Sequence, residues 1–138
     1  MTDTLSKEDR SKLMSRIHGR DTRPEMIVRG LIHKLGYRYR LHAKFLPGKP
    51  DLVFTARKKV IFVHGCFWHR HTDCKLARLP KSRLGFWLPK LEGNSKRDEL
   101  NQDKLKSLGW CYLIIWECET KDLVHLENKI LCFLNDTD

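Results

Sequence analysis

The sequence contains no long apolar run and few residues that break regular structure. Its longest apolar stretch, residues 110–116, is far shorter than the ~20 residues of a membrane-spanning helix, so we expect no membrane partner. With 8 Gly and 5 Pro among 138 residues, the chain is neither collagen-like nor of low complexity. The polar N-terminus has no apolar signal core, which predicts a protein that stays in the cytoplasm.

Acidic residues are also scarce relative to basic ones. There are 17 Asp and Glu against 27 Lys and Arg, giving a formal net charge of +10 and a pI near 9.6. A small folded domain with such a surplus most often binds a polyanion. The five cysteines are odd in number and lack an export signal, which favours thiols or metal ligands over a disulfide framework.

Length and hydrophobic periodicity predict one α/β domain over residues 1–138, with a mixed sheet flanked by helices. Residues 1–20 form a helical arm, and residues 120–138 contain the C-terminal helix. A capping box of Thr22 and Glu25 starts the second helix. The predicted helices are 7–18, 23–35, 81–91, 94–108 and one from residue 123. The predicted strands are 37–41, 51–54, 59–64 and 110–118, the last buried on both faces.

The central hairpin brings a carboxylate and an imidazole to one edge of the predicted sheet. With Arg57 and Lys58 as its tip, Phe54 pairs with Ile61. Asp51 then lies opposite His64, with Cβ atoms about 4.5–5.5 Å apart. The alternative interpretation is an ordinary Asp–His pair on the surface.

Residues 64–74 hold three histidines and two cysteines. The spacing of Cys66, His71 and Cys74 lets a short loop surround one ion, and Zn²⁺ takes thiolate and imidazole ligands tetrahedrally. We favour Cys118 as the fourth ligand. The alternatives for the ligand set are Cys111, Cys132 and His69. A loop of reduced thiols without metal is the simpler interpretation.

Other candidates have ordinary explanations as well. Phe67 and Trp68 could unstack a base step or simply cover the metal loop. Glu25 fits the third position of a capping box. Asp98 lies early in a predicted helix, where the dipole favours a carboxylate. Position alone does not mark either acidic residue as catalytic.

Five segments of the chain closely resemble the very-short-patch repair (Vsr) mismatch endonucleases. They are residues 11–25, 46–54, 60–74, 86–98 and 108–119, and the run HGCFWH after PGKPD is the most specific. The resemblance implies a restriction-endonuclease-like fold, of the type whose usual motif is PD followed by D/E-x-K. Pro50 and Asp51 supply the first half. Phe62, Val63 and His64 replace the second half, a departure that is typical of the Vsr group.

This resemblance also implies an activity. Vsr enzymes nick one strand of DNA 5′ of the thymine in a T·G mismatch that arises from deamination of 5-methylcytosine, and this starts very short patch repair. We therefore expect a monomeric bacterial enzyme, associated with the nucleoid, whose partner is double-stranded DNA with a T·G mismatch. Mismatch-repair proteins are a candidate second partner.

The residue roles that the resemblance implies are catalytic, metal-binding and DNA-binding. Asp51 and the main-chain carbonyl of Val63 hold a catalytic Mg²⁺. His69 is the general base, oriented by Asp98. Glu25 holds metal-bound water, and His64 contacts the phosphate or water. The structural Zn²⁺ ligands are Cys66, His71, Cys74 and Cys118. The DNA-binding residues are Met14, Ile17, Phe67, Trp68, Trp87, Lys90 and Asn94.

Two other functions are compatible with part of this pattern. One is a restriction-type endonuclease that cuts matched duplex, which would not need the wedge residues Phe67 and Trp68. The other is a non-enzymatic DNA-binding module containing zinc. The joint presence of Asp51, His64 and His69 speaks against such a module.

Overall fold

A computed structural model describes residues 22–79 and 81–135. The predicted helix over residues 7–18 therefore lies outside the described residues, as do Met14 and Ile17. Among the residues described, no helix is long and apolar enough to cross a membrane.

In the described part of the chain, four strands form one mixed sheet in the order β1-β2-β3-β4. They are β1 (Arg40–Leu41), β2 (Leu52–Phe54), β3 (Lys59–His64) and β4 (Cys111–Trp116). Strand β2 pairs antiparallel with both β1 and β3, whereas β4 runs parallel to β3. The predicted mixed α/β class is confirmed, although β1 is shorter than the predicted strand over residues 37–41.

Across residues 22–79 and 81–135, three α-helices cover the sheet: α1 (Arg23–Lys34), α2 (Leu84–Ser107) and α3 (Leu123–Asn135). Helix α1 starts where the Thr22 hydroxyl accepts the N–H of Glu25 at 3.4 Å. It ends before Gly36, which has a positive φ of 88°. Glycine adopts this conformation readily because it has no Cβ. The local signals that predict α1 and α3 are thus confirmed to within a few residues.

Helix α2 corrects the prediction of two separate helices over residues 81–91 and 94–108. Pro89 lies inside it and removes one backbone hydrogen bond, the one to Gly85. Gly93 costs about 1 kcal/mol relative to Ala. Contacts of Asn94 and Ser95 with the loop after β3 hold the helix in place across both breakers.

The hairpin register also differs from the prediction. Phe54 pairs with Lys59 instead of Ile61, so the prediction of a two-residue tip is wrong. A 3₁₀ turn, Thr55–Arg57, followed by Lys58 in the left-handed region at φ 53°, connects the strands. This longer connection moves the pairing by two residues.

The shifted register changes the neighbour of Asp51, which does not lie opposite His64. Instead its Oδ2 accepts the main-chain N–H of Val63 at 2.7 Å. Because side chains alternate with a period of two, a two-residue shift keeps each side chain on its predicted face. Asp51 and His64 therefore still belong to the same face of the sheet.

Strand β4 is not buried on both faces as predicted. It is the last strand of the described sheet. Four of its six residues are half-buried, Cys111 is exposed, and Ile115 is fully buried at 0% exposure. It ends at Trp116, so Cys118 lies in the following 3₁₀ turn, Glu117–Lys121. Among the described strands β4 pairs with β3 alone, so its apolar composition does not place it at the centre of the sheet.

The sheet separates two apolar clusters, which makes three layers. On one face, α1 and α3 pack against side chains that include Leu52, Ile61 and Ile115. On the other face, Leu105 of α2 packs against side chains that include Val60. The sheet is thereby fixed between helices on both sides, and its β3–β4 end carries the loops described below.

We expect Ile115→Ala to lower the free energy of unfolding by about 2–5 kcal/mol, because it leaves a cavity at a fully buried position. Urea denaturation followed by circular dichroism measures this. Val124→Ala, at a side chain 73% exposed, is the control and should change stability by no more than about 0.5 kcal/mol. Equal effects of the two substitutions would contradict the assigned core.

Candidate active site

Three cysteines and a histidine converge just beyond the ends of β3 and β4. The ligand atoms of Cys66, His71, Cys74 and Cys118 all lie within 4.8 Å of one another. The main-chain N–H of Cys118 donates to Cys66 Sγ at 3.4 Å. Its own Sγ is 3.5 Å from His71 Nδ1. We call these four residues the thiol cluster.

The structure discriminates between the alternatives for the fourth position of this cluster. Cys118 lies in it, whereas Cys111 and Cys132 are exposed side chains outside it. His69 is paired elsewhere, with Asp98.

The chemistry of the thiol cluster fits a cation. Burial raises the pKa of Cys66 to about 12, so this thiol stays protonated unless a positive charge stabilises the thiolate. Three sulfurs and one imidazole nitrogen are a donor set that suits a closed, four-coordinate site for a soft divalent ion.

A second cluster consists of His64, His69 and Asp98. His69 Nδ1 lies 2.6 Å from Asp98 Oδ2, and the His64 and His69 rings stack with centroids 3.8 Å apart. Burial, together with the nearby charge of His69, lowers the pKa of His64 to about 3. His64 is therefore a neutral imidazole at physiological pH.

A third cluster surrounds Asp51 at the start of β2. Burial, helped by the neighbouring Glu25, raises the pKa of Asp51 to about 8, although the Val63 N–H and the Arg29 charge oppose this shift. Glu25 is 1% exposed, and its carboxylate accepts hydrogen bonds from Arg29. Only its main chain takes part in the helix cap, so its side chain is not the capping group that the sequence pattern suggests.

Sequence reasoning missed several residues of these clusters. His42 belongs to the third cluster, with a ring nitrogen 3.3 Å from Glu25 Oε2. The Trp116 ring stacks on His71 at 4.1 Å and contacts His64 edge-on at 5.3 Å. The i,i+4 spacing of Glu25 and Arg29 is a sequence signal for an ion pair. No comparable signal in the sequence places His42 or Trp116 in these clusters.

The three aromatic residues that are predicted to bind DNA form one half-buried group. Phe67, Trp68 and Trp87 contact one another edge-on, with ring centroids 5.2–6.0 Å apart. Lys90 Nζ lies 5.9 Å from the centre of the Trp68 ring, and Asn94 Nδ2 donates to the Trp68 carbonyl at 3.1 Å. The predicted DNA-binding residues of the described chain therefore share one surface.

Carboxylates that can take a divalent cation and an imidazole paired with a carboxylate are the groups that metal-dependent nucleases use for hydrolysis. The sequence model described as DNA mismatch endonuclease Vsr matches residues 2–76. The chain belongs to the Vsr family and is a DNA endonuclease.

Individual relatives cover most of the chain. The type II nicking enzyme V.XorIIP of Xanthomonas oryzae pv. oryzae is 51% identical over 130 residues, 94% of this chain and 95% of the relative. The type II nicking enzyme V.NmeAIP of Neisseria meningitidis serogroup A is 41% identical over 96% of this chain and 89% of the relative. The DNA mismatch endonuclease Vsr of Escherichia coli K12 is 40% identical over 95% of this chain and 83% of the relative.

The raised pKa of Asp51 makes a prediction about stability without added divalent cations. An unfolded Asp ionises near pH 3.8 but the folded one near pH 8, so Asp51 costs stability progressively as pH rises between these values. Asp51→Asn, which does not titrate but can still accept from Val63, should therefore melt at least about 3 °C higher than wild type at pH 8.5.

Differential scanning calorimetry at pH 4.5 and pH 8.5 checks this difference. Near pH 4.5 the difference should be several-fold smaller, because folded Asp51 is protonated and this pH lies less than one unit above the pKa of 3.8 in the unfolded chain, so only a small part of the cost has accumulated. A gain that is the same at both pH values would show that burial of the charge is not its cause.

Proposed function

We propose that this endonuclease nicks one strand of duplex DNA 5′ to the thymine of a T·G mismatch, and so starts very short patch repair of deaminated 5-methylcytosine. The carrying observation is the His69–Asp98 pair, stacked on the neutral His64. The name of the Escherichia coli relative supports mismatched DNA as the substrate, and the names of other relatives support cleavage of one strand.

His69 is the proposed general base. A carboxylate only accepts hydrogen bonds, so its contact with Asp98 places the proton on Nδ1 and leaves the Nε2 lone pair available. That nitrogen takes a proton from the water that attacks the phosphorus, as the ester bond to the leaving oxygen breaks. His64, neutral and stacked on His69, keeps this ring in plane and contacts the phosphate or the attacking water.

Asp51 and the Val63 carbonyl are the proposed Mg²⁺ ligands, with Glu25 binding a metal-bound water. Two buried carboxylates close together suit a hard divalent cation. When bound, Mg²⁺ polarises the phosphoryl oxygen and stabilises the leaving oxygen. The hydrogen bond from the Val63 N–H fixes the Asp51 carboxylate beside the same residue whose carbonyl completes the pair.

Recognition of the mismatch is proposed to use the aromatic group of Phe67, Trp68 and Trp87. These rings are already in mutual contact and partly exposed, so they can enter from the major groove at little ordering cost. A mispaired step is also easier to unstack than a paired one. Lys90 and Asn94, on the same surface, contact the mismatched bases. Met14 and Ile17 enter from the minor groove.

The net charge of +10 provides a salt-dependent attraction for the phosphate backbone. A monomer suits a reaction that breaks one strand. The thiol cluster is proposed to bind a structural Zn²⁺ that fixes the loop carrying Phe67, Trp68 and His69 between two of its ligands, Cys66 and His71.

An end-labelled duplex with a single T·G mismatch, prepared with varied flanking bases, tests the proposed activity. We expect a nick 5′ of the mismatched thymine with Mg²⁺ and none with EDTA. Asp51→Ala should lower the rate at least about 10³-fold, because it removes the metal ligand. The matched duplex is the control. Equal cutting of both duplexes would favour the restriction-type alternative, and binding without cutting in any flank would favour the DNA-binding module.

Metal content tests the thiol cluster separately from activity. We expect about one zinc per chain in wild type and in Cys111→Ser, because Cys111 lies outside the cluster. Cys118→Ser should lose most of its zinc and melt at a lower temperature, since a structural zinc contributes folding free energy. Inductively coupled plasma mass spectrometry measures the content. Full zinc in Cys118→Ser would refute this ligand assignment.

A further inference from the structure

A buried polar group between α1 and the β1–β2 edge contains two residues that have no role in the function proposed above. They are Arg29 and His42, whose side chains are only 13% and 17% exposed, and both lie against Glu25. Arg29 Nη2 donates to Glu25 Oε2 and lies 2.9 Å from His42 Nε2. His42 Nε2 is itself 3.3 Å from Glu25 Oε2.

The backbone holds His42 next to Asp51. His42 follows β1 directly and has a φ of 50°, in the left-handed region that a non-glycine residue seldom adopts. Its N–H donates to the Asp51 carbonyl at 3.1 Å, which extends the pairing of β1 with β2. This strained conformation is retained because the surrounding structure fixes it, as is common at functional sites.

The hydrogen bonds determine which atom of His42 faces the carboxylates. A guanidinium only donates, so His42 Nε2 accepts from Arg29 and carries a lone pair. One ring nitrogen of His42 and one oxygen each of Glu25 and Asp51 lie within 4.8 Å of one another, and Nε2 is the nitrogen that lies 3.3 Å from Glu25 Oε2. Two carboxylate oxygens and an imidazole nitrogen are a recognised donor set for a divalent cation.

We propose that His42 Nε2 is a direct ligand of the divalent cation held by Asp51 and the Val63 carbonyl, and that the Arg29 guanidinium occupies that cation's place beside His42 and Glu25 in the free protein. This inference rests on the proposed function, since it takes the Asp51 cluster to be the metal site. Arg29 donates to His42 Nε2, the atom that would bind the cation, and to Glu25 Oε2, the oxygen that would hold a metal-bound water. Metal binding therefore displaces Arg29 from them.

A nitrogen ligand changes the preferred ion. Mg²⁺ favours an all-oxygen set, whereas an imidazole ligand raises affinity for divalent transition-metal ions such as Mn²⁺ and Co²⁺ relative to Mg²⁺. The site should therefore select Mn²⁺ over Mg²⁺ more strongly than a variant with an amide oxygen at position 42. His42→Gln is that variant.

Electron spin-echo envelope modulation of Mn²⁺ bound to the zinc-loaded protein, without DNA, tests the ligand directly. Wild type should show nitrogen coupling from a bound imidazole, and His42→Gln should lose it and bind Mn²⁺ at least about 10-fold more weakly. His125→Gln, which changes an exposed histidine, is the control and should keep both. Coupling that persists in His42→Gln, or is absent from wild type at saturating Mn²⁺, overturns the proposal.

Arg29 gives a second test with an opposite sign. Arg29→Met removes the competing cation, so it should bind Mn²⁺ several-fold more tightly than wild type in a calorimetric titration. Arg29→Lys keeps the charge and should stay close to wild type. A purely structural Arg29 would instead leave Mn²⁺ affinity unchanged or weaker in Arg29→Met, and that result overturns the competition. Circular dichroism verifies that each variant is folded.

These measurements are independent of the proposed reaction because they use no DNA. A wild-type protein that shows the nitrogen coupling but nicks neither duplex would refute the proposed function and leave the His42 ligand intact. A protein that nicks the T·G duplex and lacks the coupling would refute the His42 ligand alone.

Discussion

The parallel pairing of β3 with β4 is the constraint on which the thiol cluster and the His64–His69–Asp98 cluster both depend. Six residue pairs run in register from Lys59 and Cys111 to His64 and Trp116, so both strands end at the same edge. The chain segments that leave this edge carry Cys66 and Cys118. Glu117 Oε1 accepts the Cys66 N–H at 3.3 Å, which joins the two segments before any ion is considered. A change of register here would separate the sulfurs of Cys66 and Cys118, and it would move His64 at the same time.

Aromatic contacts extend this arrangement from the thiol cluster to the proposed general base. Trp116 lies flat against His71 and edge-on to His64, and His64 in turn stacks on His69. Four rings are thus in continuous contact over the edge of the sheet. A structural ion at one end of this series would restrict the orientation of the imidazole at the other end, because packed rings cannot rotate independently.

The sequence predicts what is local, and tertiary contacts decide the rest. Periodicity and caps suffice for α1 and α3, and the spacing of cysteines and histidines suffices for three members of the thiol cluster. The hairpin register depends on a left-handed Lys58, a conformation for which Gly or Asn would be the usual signal. The position of β4 at the end of the described sheet and the contact of Arg29 with His42 depend on elements distant in sequence. Composition near these residues contains no information about such contacts.

The continuity of helix α2 across Pro89 restricts how this family can change in length. Trp87, Asn94, Asp98 and the buried Leu105 repeat at 7, 4 and 7 residues, which places all four on one face. Insertion or deletion of one residue between them would rotate everything beyond it by about 100° and move it by about 1.5 Å along the axis. The aromatic group and the carboxylate of the His69 pair could then no longer both face the loop after β3. Substitutions can accumulate along this helix, but insertions and deletions must be confined to the connections on either side of it.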